Sequence, residues 1–197
     1  MLKRLFDIIF SFIGLILTSP LFLVVAVLIK ISSPGPVFYR GERIGRNGKP
    51  FRIFKFRTMV VGAENLGGPS TASDDPRLLK IGNFLKKFQL DEIPQLINVL
   101  KGEMSFVGPR PEVKIYVDMM TSEERSIILS ATPGMTDLAS LWDFHEGEIL
   151  KGSADPEKAY MEKIRPTKIK LQLEYVKTRS FVLDLKIIFK TIMKVFH

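Results

Sequence analysis

The longest uncharged stretch of the sequence runs from Ile8 to Ile29 and is mostly apolar. About 20 such residues are enough to cross a bilayer as a helix. Ser19 and Pro20 lie in its middle, and a proline there removes a helix hydrogen bond and clashes with the preceding turn. The pattern therefore predicts a helix, a break and a second helix, each about eleven residues or ~16 Å long.

Both flanks of this stretch are basic. Lys3 and Arg4 precede it, and the segment 30–57 carries eight basic residues against the single acid Glu42. Basic flanks favour the cytoplasmic side of a membrane. We therefore predict that residues 1–33 form a re-entrant hairpin that dips into the bilayer and returns. A straight single-pass anchor is the main alternative, ahead of a buried core helix and a cleaved signal peptide.

The remaining residues, 34–197, predict a cytoplasmic α+β domain that is mainly helical with a small β-hairpin or sheet. The predicted elements are strands at 37–40 and 51–57 around a turn at 45–50, a mobile loop at 62–75, helices at 78–88, 94–100, 168–178 and 181–196, and helix starts at Ser122 and Asp155.

The last predicted helix has an unusual face. Lys186, Lys190 and Lys194 recur every four residues, and most other positions are apolar. This pattern is typical of an amphipathic helix at a membrane interface. A core helix with a solvated lysine face is the alternative, and the apolar N-terminal segment favours the membrane.

Composition narrows the choice of function. The chain of 197 residues has a net charge of +8, no cysteine and two histidines. Thiolate catalysis, cysteine-ligated metals and a histidine-rich metal centre are therefore excluded. A basic chain predicts an anionic partner, and the surplus of apolar residues favours a membrane surface over nucleic acid. No motif typical of nucleic-acid binding occurs.

Two adjacent carboxylates form the sharpest candidate site. Asp91 and Glu92 stand just before a short predicted helix, whose positive end stabilises anions. Such a pair can offer Mg²⁺ oxygen ligands, and a carboxylate can attack phosphorus to form an acyl-phosphate. A plain helix N-cap is the simpler alternative.

Basic residues supply a second candidate group. Lys55 and Arg57 end a predicted strand, and Arg110 stands between Pro109 and Pro111. Arginine binds phosphate with a two-pronged fork and lysine as a point charge. Flanking prolines fix the backbone of Arg110, as a positioned anion ligand requires, although a surface turn has the same letters.

A third region is acidic and aromatic. We predict that His145 is a solvated loop residue, and that Trp142 and Phe144 pack in the core rather than stack on a base.

Five motifs in order carry a family resemblance. They are Lys55-Phe56-Arg57-Thr58-Met59, Leu90-Asp91-Glu92-Ile93-Pro94-Gln95, Met104 to Glu112 with its Gly108-Pro109-Arg110-Pro111, Pro133-Gly134-Met135-Thr136, and Ser180-Phe181 to Ile187. Over the whole chain this sequence resembles the bacterial sugar transferase family, the monotopic polyprenol-phosphate phosphoglycosyl transferases, in its minimal catalytic-domain form. The Ser19-Pro20 break resembles the family's re-entrant membrane helix.

The resemblance implies an enzyme of EC 2.7.8 type that starts glycoconjugate or polysaccharide assembly. It would transfer sugar-1-phosphate from a nucleoside diphosphate sugar, usually a UDP-sugar, to a polyprenol phosphate such as undecaprenyl phosphate, and release UMP. Asp91 would be the nucleophile and form a covalent aspartyl phosphosugar, and Glu92 would assist. Both would hold Mg²⁺, while Lys55, Arg57 and Arg110 would bind phosphates.

The same resemblance places the catalytic domain on the cytoplasmic face of the bacterial inner membrane. The implied partners are polyprenol phosphate, the sugar donor and membrane lipids, with no nucleic acid, and a homodimer is left open.

Several positions depart from the family's usual pattern. Asp137 follows Thr136 where glycine is common, Ser140 stands where glutamine is common, and Gln172 replaces an aspartate. The stretch 142–148 is acidic instead of rich in asparagine and arginine. We expect sugar and nucleotide recognition in these regions. A membrane-tethered basic binding or scaffold protein without catalysis is the alternative function, and it would tolerate Asp91→Asn.

Overall fold

The computed structural model describes residues 1–143 and 146–195, and there the chain is mainly helical with small strands, as the sequence predicts. Phe144, His145 and His197, about which the sequence raises expectations, lie outside the described residues. Helix α1 runs from Leu2 to Ser32 without interruption. In the described part of the chain it alone is long and apolar enough to cross a membrane, by length and composition.

The remaining elements are short. The strands are β1 (Phe38–Tyr39), β2 (Glu42–Ile44), β3 (Pro50–Arg52), β4 (Lys55–Phe56), β5 (Ser105–Val107) and β6 (Gly134–Thr136). The helices are α2 (Lys80–Lys87), a 3-10 helix (Leu90–Gln95), α3 (Leu96–Lys101), α4 (Lys114–Asp118), α5 (Ser122–Ile128), α6 (Leu138–Trp142), α7 (Glu146–Leu150), α8 (Pro156–Ala159), a π-helical turn (Tyr160–Ile164), α9 (Arg165–Thr178) and α10 (Phe181–Val195).

Helix α1 continues through its proline. Pro20 has no N–H to donate to the carbonyl of Ile16, four residues earlier. The hydroxyl of Ser19 donates to that carbonyl instead, at 2.8 Å. The structure therefore has one helix where the sequence predicts two, because a neighbouring side chain replaces the missing bond. That this segment enters and leaves the same face of a membrane stays a prediction.

One side of α1 packs against the rest of the protein along most of its length. The buried positions follow the helical repeat: Asp7, Ser11, Val25 and Ile29. Val25 and Ile29 share a core cluster with Phe56 and Leu85. The first turns of α1 are therefore held by the domain, and so are its last turns.

The N-terminal end of α1 is fixed by two basic side chains. Arg4 donates to the carbonyls of Val99 at 2.6 Å and Leu100 at 2.8 Å. Lys3 donates to the carbonyl of Val107 at 2.9 Å and pairs with Asp184. These positive charges therefore stay at the domain surface.

The opposite side of α1 is apolar and exposed. Its exposed residues include Ile8, Ile9, Phe10, Phe12, Ile13, Ile16, Leu17, Leu23, Val24, Val27, Leu28 and Ile31. Helix α10 also exposes apolar residues, among them Val182, Phe189 and Ile192, and its three lysines are exposed too. An exposed apolar surface of this extent marks an interaction site.

The predicted strands 37–40 and 51–57 do pair: β1 runs antiparallel to β4, with Phe38 opposite Phe56. Between them the structure adds β2, which the sequence does not predict, and β2 pairs antiparallel with β3 across the turn Arg46–Gly48. A second pairing is not predicted by the sequence. Strands β5 and β6 run parallel, with Val107 opposite Thr136.

Two glycines make the β5–β6 approach close. A Cβ atom on Gly108 would lie 2.2 Å from the carbonyl oxygen of Thr132, and one on Gly134 would lie 2.1 Å from the Gly108 nitrogen. The bare backbones allow Gly108 to donate to the carbonyl of Thr136 and Gly134 to that of Pro109, at 3.1 and 3.0 Å. This fixes the loop that begins at Pro109.

Trp142 corrects one expectation. It is 45% exposed at the end of α6 and does not belong to the core. The inner side of this short helix is taken by Leu138 and Leu141, which pack against the cluster around Tyr175.

The segment 62–75, predicted as a mobile loop, has specific contacts. Arg77 donates to the carbonyls of Ala63 and Gly68 at 3.0 and 3.1 Å, and its guanidinium pairs with Asp75. The carboxylate of Glu157 accepts the backbone N–H of Ser70 at 3.3 Å.

Candidate active site

Asp91 and Glu92 occupy the first turn of the 3-10 helix, which leads directly into α3. Gln89, the residue before this helix, has a left-handed backbone with φ 53°, which turns the chain sharply after α2. Among the described residues no side chain caps the helix. The two carboxylates therefore do not serve as a plain N-cap.

Glu92 is held between two cations. Its carboxylate accepts from the Lys55 ammonium at 2.6 Å and from both terminal nitrogens of Arg110, one of them at 3.1 Å. Burial alone would raise the pKa of Glu92, but Arg110 and Lys55 outweigh it and lower that pKa. Glu92 is therefore a permanently ionised partner of both predicted phosphate ligands.

Asp91 is in the opposite situation. It is only 6% exposed, yet in the described structure no donor bonds its carboxylate and no cation pairs with it. Burial raises the pKa of Asp91 to about 6; Lys55 opposes this rise and Glu92 adds to it. Of these two adjacent carboxylates, that of Glu92 is therefore bound to two cations and that of Asp91 to none in the described structure.

The backbone of Arg110 is held from both sides. Its N–H donates to the Asp137 carboxylate at 3.3 Å, and the Gln172 amide donates to its carbonyl at 3.5 Å. Both partners are fully buried, and the two glycines at β5 and β6 fix the loop. The sequence marks Asp137 and Gln172 as departures without indicating that they meet at Arg110.

Arg57 lies at the other end of the domain interface with α1. Its guanidinium donates to the carbonyls of Ser33 and Pro34 at 2.8 and 2.9 Å, and to the Ser33 hydroxyl at 3.2 Å. The structure thus gives Arg57 the chain just after α1 as its partner. A role for Arg57 in phosphate binding stays a prediction.

The structure contains a second charged cluster, which the sequence does not predict. Lys168 on α9 is buried and pairs with Glu112 at 3.1 Å and Glu146 at 3.6 Å, and it donates to the Tyr160 hydroxyl at 3.2 Å. Burial would lower the pKa of Lys168, but Glu112 and Glu146 reverse this and raise it. Because these residues lie far apart in the sequence, no local pattern predicts the cluster.

The two charged clusters and Arg57 line one open cleft with a volume of about 1610 Å³. Asp91, Glu92, Lys55 and Arg110 share its wall with Lys168. The cleft is large enough for a nucleoside diphosphate sugar, since ordinary ligand pockets measure about 300–1,000 Å³. Cations beside an available carboxylate suit phosphoryl chemistry.

The residues present fit a magnesium ion that a substrate helps to hold. Among the described residues no group of three or more histidine, cysteine, aspartate or glutamate side chains forms a metal site. Mg²⁺ usually takes one or two carboxylates and completes its shell with water and substrate phosphates. Asp91 and Glu92 supply two adjacent carboxylates of this kind.

Comparison with known proteins decides the family. The sequence model described as "Bacterial sugar transferase" matches residues 1–197.

The chain belongs to the bacterial sugar transferase family.

Relatives in this bacterial sugar transferase family are longer or comparable in length. The chain is 37% identical over 198 residues to the UDP-glucose:undecaprenyl-phosphate glucose-1-phosphate transferase of Escherichia coli (strain K12), covering 100% of this chain and 40% of that protein. It is 37% identical over 198 residues to the UDP-N-acetylgalactosamine-undecaprenyl-phosphate N-acetylgalactosaminephosphotransferase of Aeromonas hydrophila, covering 97% of this chain and 43% of that protein.

A shorter bacterial sugar transferase matches over most of both lengths. The exopolysaccharide production protein ExoY of Sinorhizobium fredii (strain NBRC 101917 / NGR234) is 37% identical over 205 residues, covering 96% of this chain and 83% of that protein. The chain thus spans about two fifths of the first two relatives and most of the third. The family resemblance read from the five motifs is confirmed.

Proposed function

We propose that this protein transfers sugar-1-phosphate from a UDP-sugar to a polyprenol phosphate, producing a polyprenol-diphosphate-sugar and UMP. The names of the Escherichia coli and Aeromonas hydrophila relatives describe transfer of a sugar phosphate from a UDP-sugar to undecaprenyl phosphate. These names support the donor and the acceptor classes. The site supports the chemistry independently of them.

The observation that carries the proposal is the contrast between Asp91 and Glu92. Glu92 is bound to Lys55 and Arg110, while Asp91 has no donor in the described structure and lines the same cleft. A carboxylate without hydrogen bonds, kept partly desolvated, is a stronger nucleophile than one that is solvated or paired.

The reaction follows as two displacements at one phosphorus. In the first, an oxygen of Asp91 attacks the β-phosphorus of the donor, and the bond to the bridging oxygen breaks. UMP leaves with that oxygen and its electron pair, and the sugar phosphate stays on Asp91. In the second, a phosphate oxygen of the polyprenol phosphate attacks the same phosphorus, and the carboxylate of Asp91 leaves.

Lys55 and Arg110 bind the phosphate oxygens in this scheme. Arginine forks onto two oxygens and lysine adds a point charge, and positioned cations are what phosphoryl transfer requires most. Both now bind Glu92, so the donor's phosphates take over cations that already converge on the reacting atom. Arg57 remains a further proposed phosphate ligand.

A bound Mg²⁺ would neutralise charge that develops on the phosphate oxygens. Asp91 and Glu92 would hold it together with the donor's phosphates. Glu92 is suited to this because its pKa is lowered, so its carboxylate stays ionised over the working pH range.

The acceptor enters from the membrane. The apolar outer sides of α1 and α10 would lie in the lipid, with the cleft open to the cytoplasm at the bacterial inner membrane. Helix α1 contacts the domain near both of its ends, which supports an arrangement in which neither end leaves the domain's side of the bilayer. The three lysines of α10 would face anionic headgroups.

The decisive experiment incubates the purified protein in detergent with polyprenol phosphate, Mg²⁺ and a panel of UDP-sugars, and measures UMP. Release of UMP with at least one donor, lost in Asp91→Asn, supports the transferase. No release with any donor, or full release by Asp91→Asn, favours the membrane-tethered binding protein instead.

A further inference from the structure

Two polar side chains, Ser140 in α6 and Asp143 just after it, line the cleft. The Ser140 hydroxyl oxygen is buried beside the Asp137 carboxylate, whose ionised form it favours. The carboxylate of Asp143 belongs to a residue that is only 6% exposed, and no donor or cation among the described residues binds it. Both residues line the same cleft as the Asp91–Glu92 pair. Buried polar groups nearly always have a partner, so the Asp143 carboxylate points to a ligand.

The geometry of α6 places the two groups together. The Asp137 carboxylate accepts the backbone N–H of Ser140 at 2.7 Å and so fixes the start of the helix. The N–H of Asp143 donates to the carbonyl of Ala139 at 2.9 Å and closes its end. Residues three apart on a helix lie on one side, so Ser140 and Asp143 present a hydroxyl and a carboxylate to one space.

Neighbouring charges leave Asp143 available. Lys168, whose charge acts most strongly against the raised pKa of Asp143, already pairs with Glu112 and Glu146. Burial raises the pKa of Asp143 to about 7, with Lys168 opposing the rise and Glu146 adding to it. The charges of Glu146 and Asp143 in turn help to raise the pKa of Arg110, so Asp143 lies within electrostatic reach of a phosphate ligand.

The position of Asp143 close to Arg110 limits which part of the donor it can bind. In a nucleotide-sugar donor the sugar is bonded to the phosphorus that Asp91 attacks. The sugar must therefore bind next to the residues that bind the phosphates, no farther away than the width of one hexose ring. A hexose offers several hydroxyl donors, and an acylamino sugar adds an N–H. In the nucleotide part, uracil offers one N–H and two carbonyl acceptors, which a carboxylate repels, and only the ribose hydroxyls are comparable donors. The inhibition constant of UMP, which contains the ribose but not the transferred sugar, therefore separates the two.

We propose that Ser140 and Asp143 form the subsite that recognises the sugar of the donor. The Asp143 carboxylate accepts hydrogen bonds from ring hydroxyl or acylamino groups, and the Ser140 hydroxyl makes a second contact. This inference rests on the proposed function, because it assigns a substrate part to the same cleft. It makes these two residues the determinants of sugar preference.

The test compares Asp143→Asn and Ser140→Ala with wild type in initial rates of UMP release from UDP-glucose, UDP-galactose and their N-acetylamino counterparts. For the preferred donor, Asp143→Asn should raise KM on the order of tenfold, the size expected for a lost hydrogen bond to a charged group. Ser140→Ala should raise it less, and both should alter the ranking of donors. The inhibition constant of UMP, which carries no sugar, should stay within about twofold.

Asp118→Asn is the matched control, because this carboxylate is exposed on α4 and lies outside the cleft. It should leave every constant unchanged. Asp143→Asn removes an unpaired buried charge, so its unfolding temperature at pH 7.5 should be no lower than that of wild type. If Asp143→Asn does not fold, the donor ranking measured with Ser140→Ala tests the subsite instead.

Three results would overturn the assignment. An unchanged donor KM and ranking in both variants would remove the subsite. A parallel rise in donor KM and in the UMP inhibition constant would assign Asp143 to the nucleotide. A changed Mg²⁺ requirement with unchanged donor ranking would assign it to the metal. Wild type that releases no UMP from any donor is a different failure, that of the transferase itself.

Discussion

The guanidinium of Arg110 grips the carboxylate of Glu92 with both of its terminal nitrogens. Because Lys55 binds the same carboxylate, the two cations already converge beside Asp91 before any phosphate is present. The substrate thus meets a charge arrangement that needs little reorganisation, which is where enzymes gain much of their electrostatic stabilisation.

The nucleophile can be identified by trapping. Wild type mixed with Mg²⁺ and the correct UDP-sugar, without lipid, should release UMP and add one sugar-phosphate mass to the peptide containing Asp91. Asp91→Asn should abolish both, because the amide cannot attack, whereas Glu92→Gln should leave a slow reaction. Intact-protein and peptide mass spectrometry checks this, with Asp118→Asn as control. UMP that appears only with lipid, without an adduct, would make Asp91 a metal ligand.

Asp91 should also destabilise the fold in a pH-dependent way. Its pKa is raised from 3.8 to about 6 by burial, so the folded protein binds more protons than the unfolded chain between these values. Stability therefore falls as the pH rises through this window and stays lower above it. The penalty is about 2 to 3 kcal/mol.

Asp91→Asn should then unfold at a higher temperature than wild type at pH 7.5, and the difference should nearly vanish at pH 4. Thermal unfolding in detergent at both values measures this. Asp118→Asn, an exposed carboxylate, should show no such difference. Equal unfolding temperatures of Asp91→Asn and wild type at pH 7.5 would refute the predicted destabilisation by the buried carboxylate of Asp91.

Arg110 and Lys87 should respond differently to alanine. Arg110 lies in the cleft with its backbone fixed, and loss of a charge-assisted fork costs roughly 1.5–3 kcal/mol, more than tenfold in rate. Lys87 lines the same cleft but is exposed at the end of α2, so Lys87→Ala should lower the rate much less than Arg110→Ala and should weaken attachment to vesicles of anionic lipid. Rates of UMP release and vesicle flotation measure the two effects. Equal, small rate effects would contradict the role of Arg110.

The N-terminus should lie on the cytoplasmic side. The chain has no cysteine, so Leu2→Cys gives a single site for labelling with a membrane-impermeant maleimide. Intact cells should leave it unlabelled and lysed cells should label it. Pro20→Ala restores an N–H whose place the Ser19 hydroxyl already takes, so it should leave this labelling unchanged. Full labelling of Leu2→Cys in intact cells would disprove the re-entrant arrangement.

Gly108 should tolerate no side chain. A Cβ there would meet backbone oxygen at 2.2 Å, so Gly108→Ala should separate β5 from β6, displace Arg110 and lower the rate more than tenfold. Gly67→Ala is the control, because its Cβ would meet only the far end of the Arg77 side chain. Rates and unfolding temperatures of both variants check this, and near-wild-type activity of Gly108→Ala would contradict it.

Local patterns predicted much of the fold. The turn residues at 45–50 and the apolar repeat of α2 are short-range signals, and the turn and the helix both lie where the sequence predicts them. Strand β2 was not predicted, because three residues carry too little pattern. The pairing of β5 with β6 was not predicted, because each has three residues and they meet through glycines 26 residues apart. Pro20 was expected to divide α1, and a hydroxyl bond preserves the helix.

The candidate site was likewise predicted in part from the sequence. Asp91, Glu92, Lys55 and Arg110 were all named from motifs, and the structure brings them together. The contrast between the two carboxylates was not predictable, because it depends on which one the cations reach. The partners of Lys168 come from three separate segments, and only tertiary packing assembles such a cluster.

Helix α1 also limits how this protein can be engineered. Its Asp7 accepts from the Ser105 hydroxyl and the Phe106 N–H, both at 3.1 Å, and so braces β5, the strand that leads to Arg110. Its later turns cover Phe56 and Leu85. A version that lacks residues 1–32, made to improve solubility, would lose part of the core and the support of the loop that carries Arg110. Detergent or nanodisc preparation of the intact chain is therefore the practical route to active material, and foreign membrane anchors are no substitute for α1.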